Sequence, residues 1–175
     1  MRQQALEALA EWNGEMGEHS FEPLVYAAWV RALQKRLITD ELGGDARPLS
    51  LARPAFLERV FRDVDGASVW CDIVQTTPKE TCADQARQAL DEALIDLSER
   101  YGRRMERWRW GEAHRALHRH EVLGGQPGLN WAVNIEQSTP GGDFTLLRGQ
   151  SRPRDGIPFA NVRVLAAERV HPHVL

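Results

Sequence analysis

The sequence of 175 residues lacks long apolar runs, an excess of charge of either sign, internal repeats and low-complexity segments. No apolar run approaches the ~20 residues that a membrane-spanning helix needs, and the first residues lack the apolar stretch of a secretory signal. A net charge of −3 gives no global field that would attract nucleic acid or anionic lipid. The sequence therefore predicts a globular protein that binds neither nucleic acid nor a membrane.

Cysteine is also scarce, with only Cys71 and Cys82 in the chain. Two cysteines do not make a disulfide framework, and their spacing leaves open whether they pair. Because the small, buried thiol is the commoner state of cysteine, we expect both to be free.

Helical periodicity dominates the first two thirds of the sequence. Apolar residues recur at helical spacing and the stretches end at glycine or proline, which predicts four helices. They cover Arg2–Trp12, a stretch from an N-cap at Ser20 to Gly43, Arg53–Asp63, and Thr81–Tyr101. The last has the clearest pattern, and we expect Leu90, Leu94 and Leu97 to be buried together.

The pattern changes after Trp110, where short, partly alternating stretches lie between glycines and prolines. Such stretches are typical of loops and strands. They are Leu129–Ile135, Phe144–Arg148 and Val162–Ala166. We therefore predict an α+β fold, with a helical subdomain over residues 1–110 and a loop and strand segment over residues 111–175.

Four motifs follow one another in the last third of the chain: a Trp/Gly/His turn, a histidine-rich segment, a Gly-Gly-Asp turn and a Pro-Phe-Ala-Asn corner. Their order resembles the later part of the large chain of the penicillin acylase (penicillin amidase) family, which reads Trp-x-Trp-Gly-x-x-His, His-Pro, Gly-Gly-Asp-x-Thr and Pro-Phe-Ala-Asn. The matching residues are Trp110, Gly111, His114, His120, Gly141, Gly142, Asp143, Thr145, Pro158, Phe159 and Asn161. The motifs end at Val162, and the last dozen residues depart from the family pattern.

This resemblance implies a partial piece of the αββα fold of N-terminal nucleophile hydrolases, with the helical bundle followed by short strands. It also implies hydrolysis of linear amides, such as the side chains of beta-lactam antibiotics or acyl-homoserine lactones. Members often bind calcium through residues upstream of this region, so no cofactor or metal ligand is expected in this chain. They are usually periplasmic or secreted. The expected partners are an upstream acylase chain and a small-molecule amide.

The nucleophile of such enzymes is an amino-terminal serine, often exposed by cleavage after glycine. None of the fourteen glycines here is followed by Ser, Thr or Cys, and the nearest approach is Ala67-Ser68. We identify no catalytic group; Asp143 is the one position that matches an acidic residue that aids proton transfer in some members. The sequence therefore indicates a fragment that is inactive alone, or one piece of a split acylase.

Other functions also fit parts of the chain. On a helix, His114 and His118 would share a face and could hold zinc with Glu121, although interleaved arginines would repel a cation. The run over residues 100–110 alternates arginines with aromatics, which is typical of nucleic-acid grooves but also of a helix C-terminus and a solvated linker. A non-enzymatic helical binding module remains the alternative to an acylase piece.

Overall fold

The computed structural model describes residues 1–43, 54–118, 120, 122–142 and 145. Two predicted strands, Phe144–Arg148 and Val162–Ala166, lie outside these residues except for Thr145.

Four α-helices of eight or more residues form the body of the described chain, as the periodicity predicts. They are α1 (Arg2–Glu11), α2 (Glu22–Leu42), α3 (Pro54–Phe61) and α4 (Cys82–Tyr101). The other elements are 3₁₀ helices at Val64–Cys71 and Met105–Arg107, α5 (Trp110–Ala113), β1 (Arg115–His118), α6 (Asn130–Val133) and β2 (Ile135–Ser138). Among the described helices, none combines the length and the apolar character needed to cross a bilayer.

Both ends of α4 follow from local chemistry. Thr81 is the N-cap: its hydroxyl accepts a hydrogen bond from the Asp84 N–H (3.2 Å), and the Asp84 carboxylate accepts one from the Thr81 N–H (3.0 Å). This reciprocal pair satisfies two N–H groups that the helix itself leaves unpaired. Gly102 follows the last turn with φ 85, a backbone conformation that side chains other than hydrogen rarely allow.

The predicted cap of α2 at Ser20 is wrong. The N-cap is Phe21, and the helix begins at Glu22 with Pro23 in its first turn. Ser20 lies one residue too early, and its carbonyl oxygen accepts the Trp110 N–H at 2.8 Å. The third helix also ends earlier than predicted, since Asp63 has a left-handed backbone with φ 51.

The larger of two apolar clusters lies between α1, α2, α4 and the segment after α4. We call it the central cluster, and it consists of Ala5, Leu24, Val25, Leu90, Leu94, Leu97, Met105, Trp108, Trp110 and Ala113. The expected joint burial of the three α4 leucines is confirmed, with each less than 4% exposed. The central cluster thus joins α1 to the residues that follow α4.

The smaller cluster packs α3 and the 3₁₀ helix Val64–Cys71 against the other ends of α2 and α4. We call it the disulfide cluster, and it consists of Leu33, Leu37, Val60, Cys71 and Ala89. Cys71 and Cys82 are joined by a disulfide, so the expectation of free thiols is wrong. The 3₁₀ helix returns the chain to the first turn of α4, and this return brings the two Cα atoms within 4.9 Å.

The described strands form one antiparallel ribbon. In it, β1 pairs with β2 so that Arg115 lies opposite Ser138 and His118 opposite Ile135. Helices followed by an antiparallel pair make this an α+β fold. The stretch Leu129–Ile135, predicted as loop or strand, is instead helical over residues 130–133, and of its residues only Ile135 belongs to a strand. Its alternating apolar residues do not face a core: Trp131 is 81% exposed.

Candidate functional site

Three stretches far apart in the sequence meet at the Trp/Gly/His turn. They are Met16–Ser20, Trp110–His114 and Thr139–Gly142, and together we call them the clamp. Three backbone hydrogen bonds of 2.8 Å join them: Trp110 N–H to Ser20, Gly111 N–H to Glu18, and Gly141 N–H to Met16. The residues before α2 thus act as a row of carbonyl acceptors for the two later stretches.

Trp110 fixes the Gly-Gly turn through its side chain. Its indole is only 2% exposed, and Nε1 donates to the carbonyl oxygen of Gly141 at 2.8 Å. A buried indole N–H needs such a partner, since desolvation without a hydrogen bond is costly. The first and third motifs are therefore in direct contact.

His114 contacts both Trp110 and the stretch that contains the Gly-Gly turn. Its ring stacks on Trp110 with centroids 4.8 Å apart and planes 10° from parallel, and the residue is only 3% exposed. Nδ1 lies 2.8 Å from the carbonyl oxygen of Thr139. A carbonyl can only accept, so Nδ1 carries a proton here. His114 is thus an anchor between the two motifs and not a surface residue.

Close approach of other segments requires a glycine at Gly111, and Gly142 also lies close to a neighbouring side chain. A Cβ at Gly111 would lie 2.8 Å from Cβ of Ser138, and a Cβ at Gly142 would lie 2.7 Å from Sδ of Met16. Real Cβ atoms do not approach other atoms so closely, so any side chain at Gly111 would push β2 away from Glu18.

Thr145 closes the Gly-Gly-Asp turn. Its hydroxyl accepts a hydrogen bond from the Gly142 N–H at 2.8 Å and donates to the Gly142 carbonyl oxygen at 3.1 Å. The Thr145 N–H also donates to that carbonyl, at 3.1 Å. The ends of the turn are thus fixed on both sides of Asp143, which itself lies outside the described residues, as do Pro158, Phe159 and Asn161.

His120, the second motif, is not part of the clamp. Its Nδ1 accepts hydrogen bonds from the N–H groups of Val122 (3.3 Å) and Leu123 (3.2 Å), and its own N–H donates to Oδ1 of Asn134 (3.1 Å). It shapes the loop between β1 and α6, which the sequence motif alone did not indicate.

The structure does not place the histidines as the zinc interpretation requires. That interpretation requires His114 and His118 on one helix, but α5 ends at Ala113, His114 is buried, and His118 lies in β1. In the part of the chain that the structure describes, no group of three His, Cys, Asp or Glu residues is placed to hold a metal.

The tryptophans that the nucleic-acid interpretation requires at the surface are buried. Trp108 is fully buried and Trp110 nearly so, and Nε1 of Trp108 donates to the Gly102 carbonyl at 2.7 Å. Neither ring can stack on a base. Tyr101 is partly buried against the central cluster, and this burial raises the pKa of its phenol, with a further contribution from the Glu112 carboxylate.

Sequence reasoning missed the acceptor stretch altogether. The carbonyls of Met16, Glu18 and Ser20 hold the clamp, and a backbone carbonyl has no residue-specific signal. One side-chain contact supports them: Ser138 Oγ donates to the Glu18 carboxylate at 2.7 Å. Apart from this bond to a carboxylate, the hydrogen bonds that join the three stretches of the clamp are neutral, and together with close packing they hold the backbone in place.

Comparison with known proteins agrees with the motifs. The sequence model of the family described as Penicillin amidase matches residues 1–170, beyond Val162 where the recognisable motifs end. No curated protein matches the chain. The match covers the described helices, the clamp and nearly all of the remaining sequence, and the chain therefore belongs to the penicillin amidase family.

Proposed function

We propose that this chain is part of an amidohydrolase that cleaves linear amide C–N bonds of acylated small molecules, such as beta-lactam side chains or acyl-homoserine lactones. The observation that carries the proposal is the clamp, which joins the family's Trp-Gly-x-x-His and Gly-Gly-Asp motifs through Trp110 and His114. The family match over residues 1–170 supports it. In this function the chain supplies a scaffold that positions the turn around Asp143.

The chemical step needs a nucleophile from another segment. No glycine of this sequence precedes Ser, Thr or Cys. Ser68, the nearest approach, lies within the 3₁₀ helix, where its N–H donates to the Asp63 carboxylate at 3.0 Å. Hydrogen bonds from Ser68 lower the pKa of Asp63, so this carboxylate is a poor base for activating the hydroxyl.

We infer that the partner is an upstream acylase chain with an amino-terminal serine, whose α-amino group serves as the base. The ribbon of β1 and β2 has unpaired edges among the described residues, which suits pairing with strands of that partner in an αββα sheet. Calcium, where present, would be held by the partner. The chain alone is then a piece of a split or longer enzyme and has no activity.

The test is an amidase assay of the purified chain with phenylacetyl, glutaryl and long-chain acyl amides. We expect no turnover from the chain alone, and turnover when it is refolded with a family chain that begins with the nucleophilic serine. The matched control replaces that serine by alanine and should abolish the restored activity. Turnover by the chain alone that survives Ser68→Ala would overturn the proposal, as would failure of every such partner chain to restore activity.

A further inference from the structure

An exposed Asn-Gly pair, Asn13-Gly14, directly follows the residue that caps α1. Gly14 has φ +84, and nothing lies within 4 Å of the place where its Cβ would be. Gly14 therefore has neither a side chain of its own nor a close neighbour at its Cβ position, and its backbone can rotate more freely than that of any other residue type.

The same turn holds the Asn13 side chain through its oxygen. Oδ1 accepts a hydrogen bond from the Glu15 N–H at 2.9 Å, and the Glu15 carbonyl accepts one from Nε1 of Trp12, also at 2.9 Å. Trp12 is itself placed by the ring of Tyr26, with centroids 5.4 Å apart. The donor on the Asn13 amide oxygen is thus fixed by packing between α1 and α2.

We propose that Asn13 is a site of spontaneous covalent modification, in which its side-chain amide is converted to isoaspartate and aspartate. The peptide nitrogen of Gly14 attacks Cγ of Asn13, a new C–N bond forms, and the bond from Cγ to Nδ2 breaks with release of ammonia. Water then opens the cyclic imide at either carbonyl. Opening at the Cα side leaves a β-linked main chain, and opening at the Cγ side leaves aspartate. No oxidant or cofactor is required.

The geometry favours this step. When the nitrogen adds to Cγ, negative charge develops on Oδ1, where the Glu15 N–H already donates; a donor fixed at that oxygen stabilises the charge without reorganisation. The leaving ammonia departs directly into solvent because Asn13 is exposed.

The product changes the link between α1 and the clamp. A β-linked residue at position 13 adds one main-chain carbon ahead of Met16, whose carbonyl accepts the Gly141 N–H. It also adds a negative charge to a chain of net charge −3. We therefore expect α1, which places Ala5 in the central cluster, to lose protection from hydrogen exchange in the modified chain.

The experiment incubates the whole chain at neutral and mildly alkaline pH in water enriched in a heavy oxygen isotope, followed by peptide mapping. We expect the Asn13 peptide to lose its amide, incorporate the isotope and separate into two products, faster at the higher pH because the attacking nitrogen must lose its proton. Two internal controls should keep their amides: Asn130, exposed but followed by Trp131, and Asn134, whose amide donates to the Gly124 carbonyl at 3.1 Å.

Two variants make the test specific. Asn13→Gln keeps an amide but lengthens the ring that must form, and Gly14→Ala hinders the attack; both should retain the amide through the incubation. Because a side chain at position 14 is strained at φ +84, circular dichroism checks that the Gly14→Ala variant folds. If that variant does not fold, the result for Asn13→Gln alone tests the proposal. Retention of the Asn13 amide in the unaltered chain, or loss from Asn130 at an equal rate, would overturn the proposal.

Discussion

The central cluster and the disulfide cluster share α2 and α4, but they are closed in different ways. The central cluster has ten buried members, among them two tryptophans, and backbone hydrogen bonds of the clamp close it. The disulfide cluster has five buried members and is closed by one covalent bond and one buried amide. That amide is Gln85, which donates to the Cys71 carbonyl at 3.0 Å and accepts from Nε of Arg36 at 2.9 Å.

The two clusters differ in the amount of buried apolar surface and in the bonds that hold their elements together. The ten buried side chains of the central cluster remove more apolar surface from water than the five of the disulfide cluster. In the disulfide cluster, a cross-link that reduces the entropy of the unfolded chain compensates for the smaller burial. Each cluster should therefore respond to a different kind of substitution.

The largest effect is expected in the central cluster. Trp108→Ala should lower the free energy of unfolding by about 3–5 kcal/mol, because Trp108 is fully buried and its removal leaves a cavity. Urea denaturation of the whole chain measures it. Trp131→Ala is the control, since that side chain is 81% exposed and should shift the midpoint little. Equal shifts in the two variants would show that the central cluster does not hold the fold.

The next effect concerns the disulfide cluster. Replacing Cys71 and Cys82 together by alanine removes a cross-link between residues 11 apart in sequence. The chain-entropy estimate for such a loop is about 3 kcal/mol. Hydrogen exchange should show lost protection over Val64–Cys71 and unchanged protection around Leu94. A uniform loss over both regions would mean that the clusters are not separate units.

A smaller effect is expected for the buried amide. Gln85→Leu leaves the Cys71 carbonyl without its donor and should cost about 1–3 kcal/mol, measured by thermal melting. Gln88→Leu is the matched control, because Gln88 also bonds Arg36 but is exposed to water. If the control costs as much as Gln85→Leu, the contact with Arg36 matters and the one with Cys71 does not.

The smallest effect is a dependence on pH at the start of α4. The hydrogen bond from the Thr81 hydroxyl, and to a smaller extent that from the Thr81 N–H, lowers the pKa of Asp84 below its usual value of 3.8. A lowered folded-state pKa contributes stability above the unfolded value, and this is lost as the pH falls through the folded value. The melting temperature of Asp84→Asn should therefore depend less on pH below about pH 4. Glu99→Gln, exposed in the last turn, should retain the full dependence.

Features that depend on local chemistry were predictable from the sequence. The period of α4, its cap at Thr81 and its stop at Gly102 follow from residues within one turn of each other. The order of motifs marked Trp110 and the Gly-Gly turn as family positions, but it did not predict the contact between them. The disulfide was not predictable, because it depends on a return of the chain through the 3₁₀ helix, and neither was the role of Gln85, whose partners lie on two other elements.

The alternating apolar residues 129–133 were also a poor guide to structure, because their conformation depends on contacts with other elements. Leu129, Trp131 and Val133 alternate with the smaller residues Asn130 and Ala132, which resembles the pattern of a strand, but a strand needs a neighbour and a covered face. The described chain gives this stretch neither, and local hydrogen bonds form instead, such as that from the Asn134 N–H to the Asn130 carbonyl at 3.1 Å.

The Ser138 to Glu18 bond beside the clamp joins residues 120 apart in sequence, and this span has a consequence during synthesis. The carbonyls of Met16, Glu18 and Ser20 leave the ribosome long before Gly141 exists to donate to one of them. At ordinary elongation rates the delay is on the order of ten seconds. Through that interval water must occupy these acceptors, and α1 and α2 lack the contacts that later close the central cluster. The clamp is thus among the last parts of the described chain that can form.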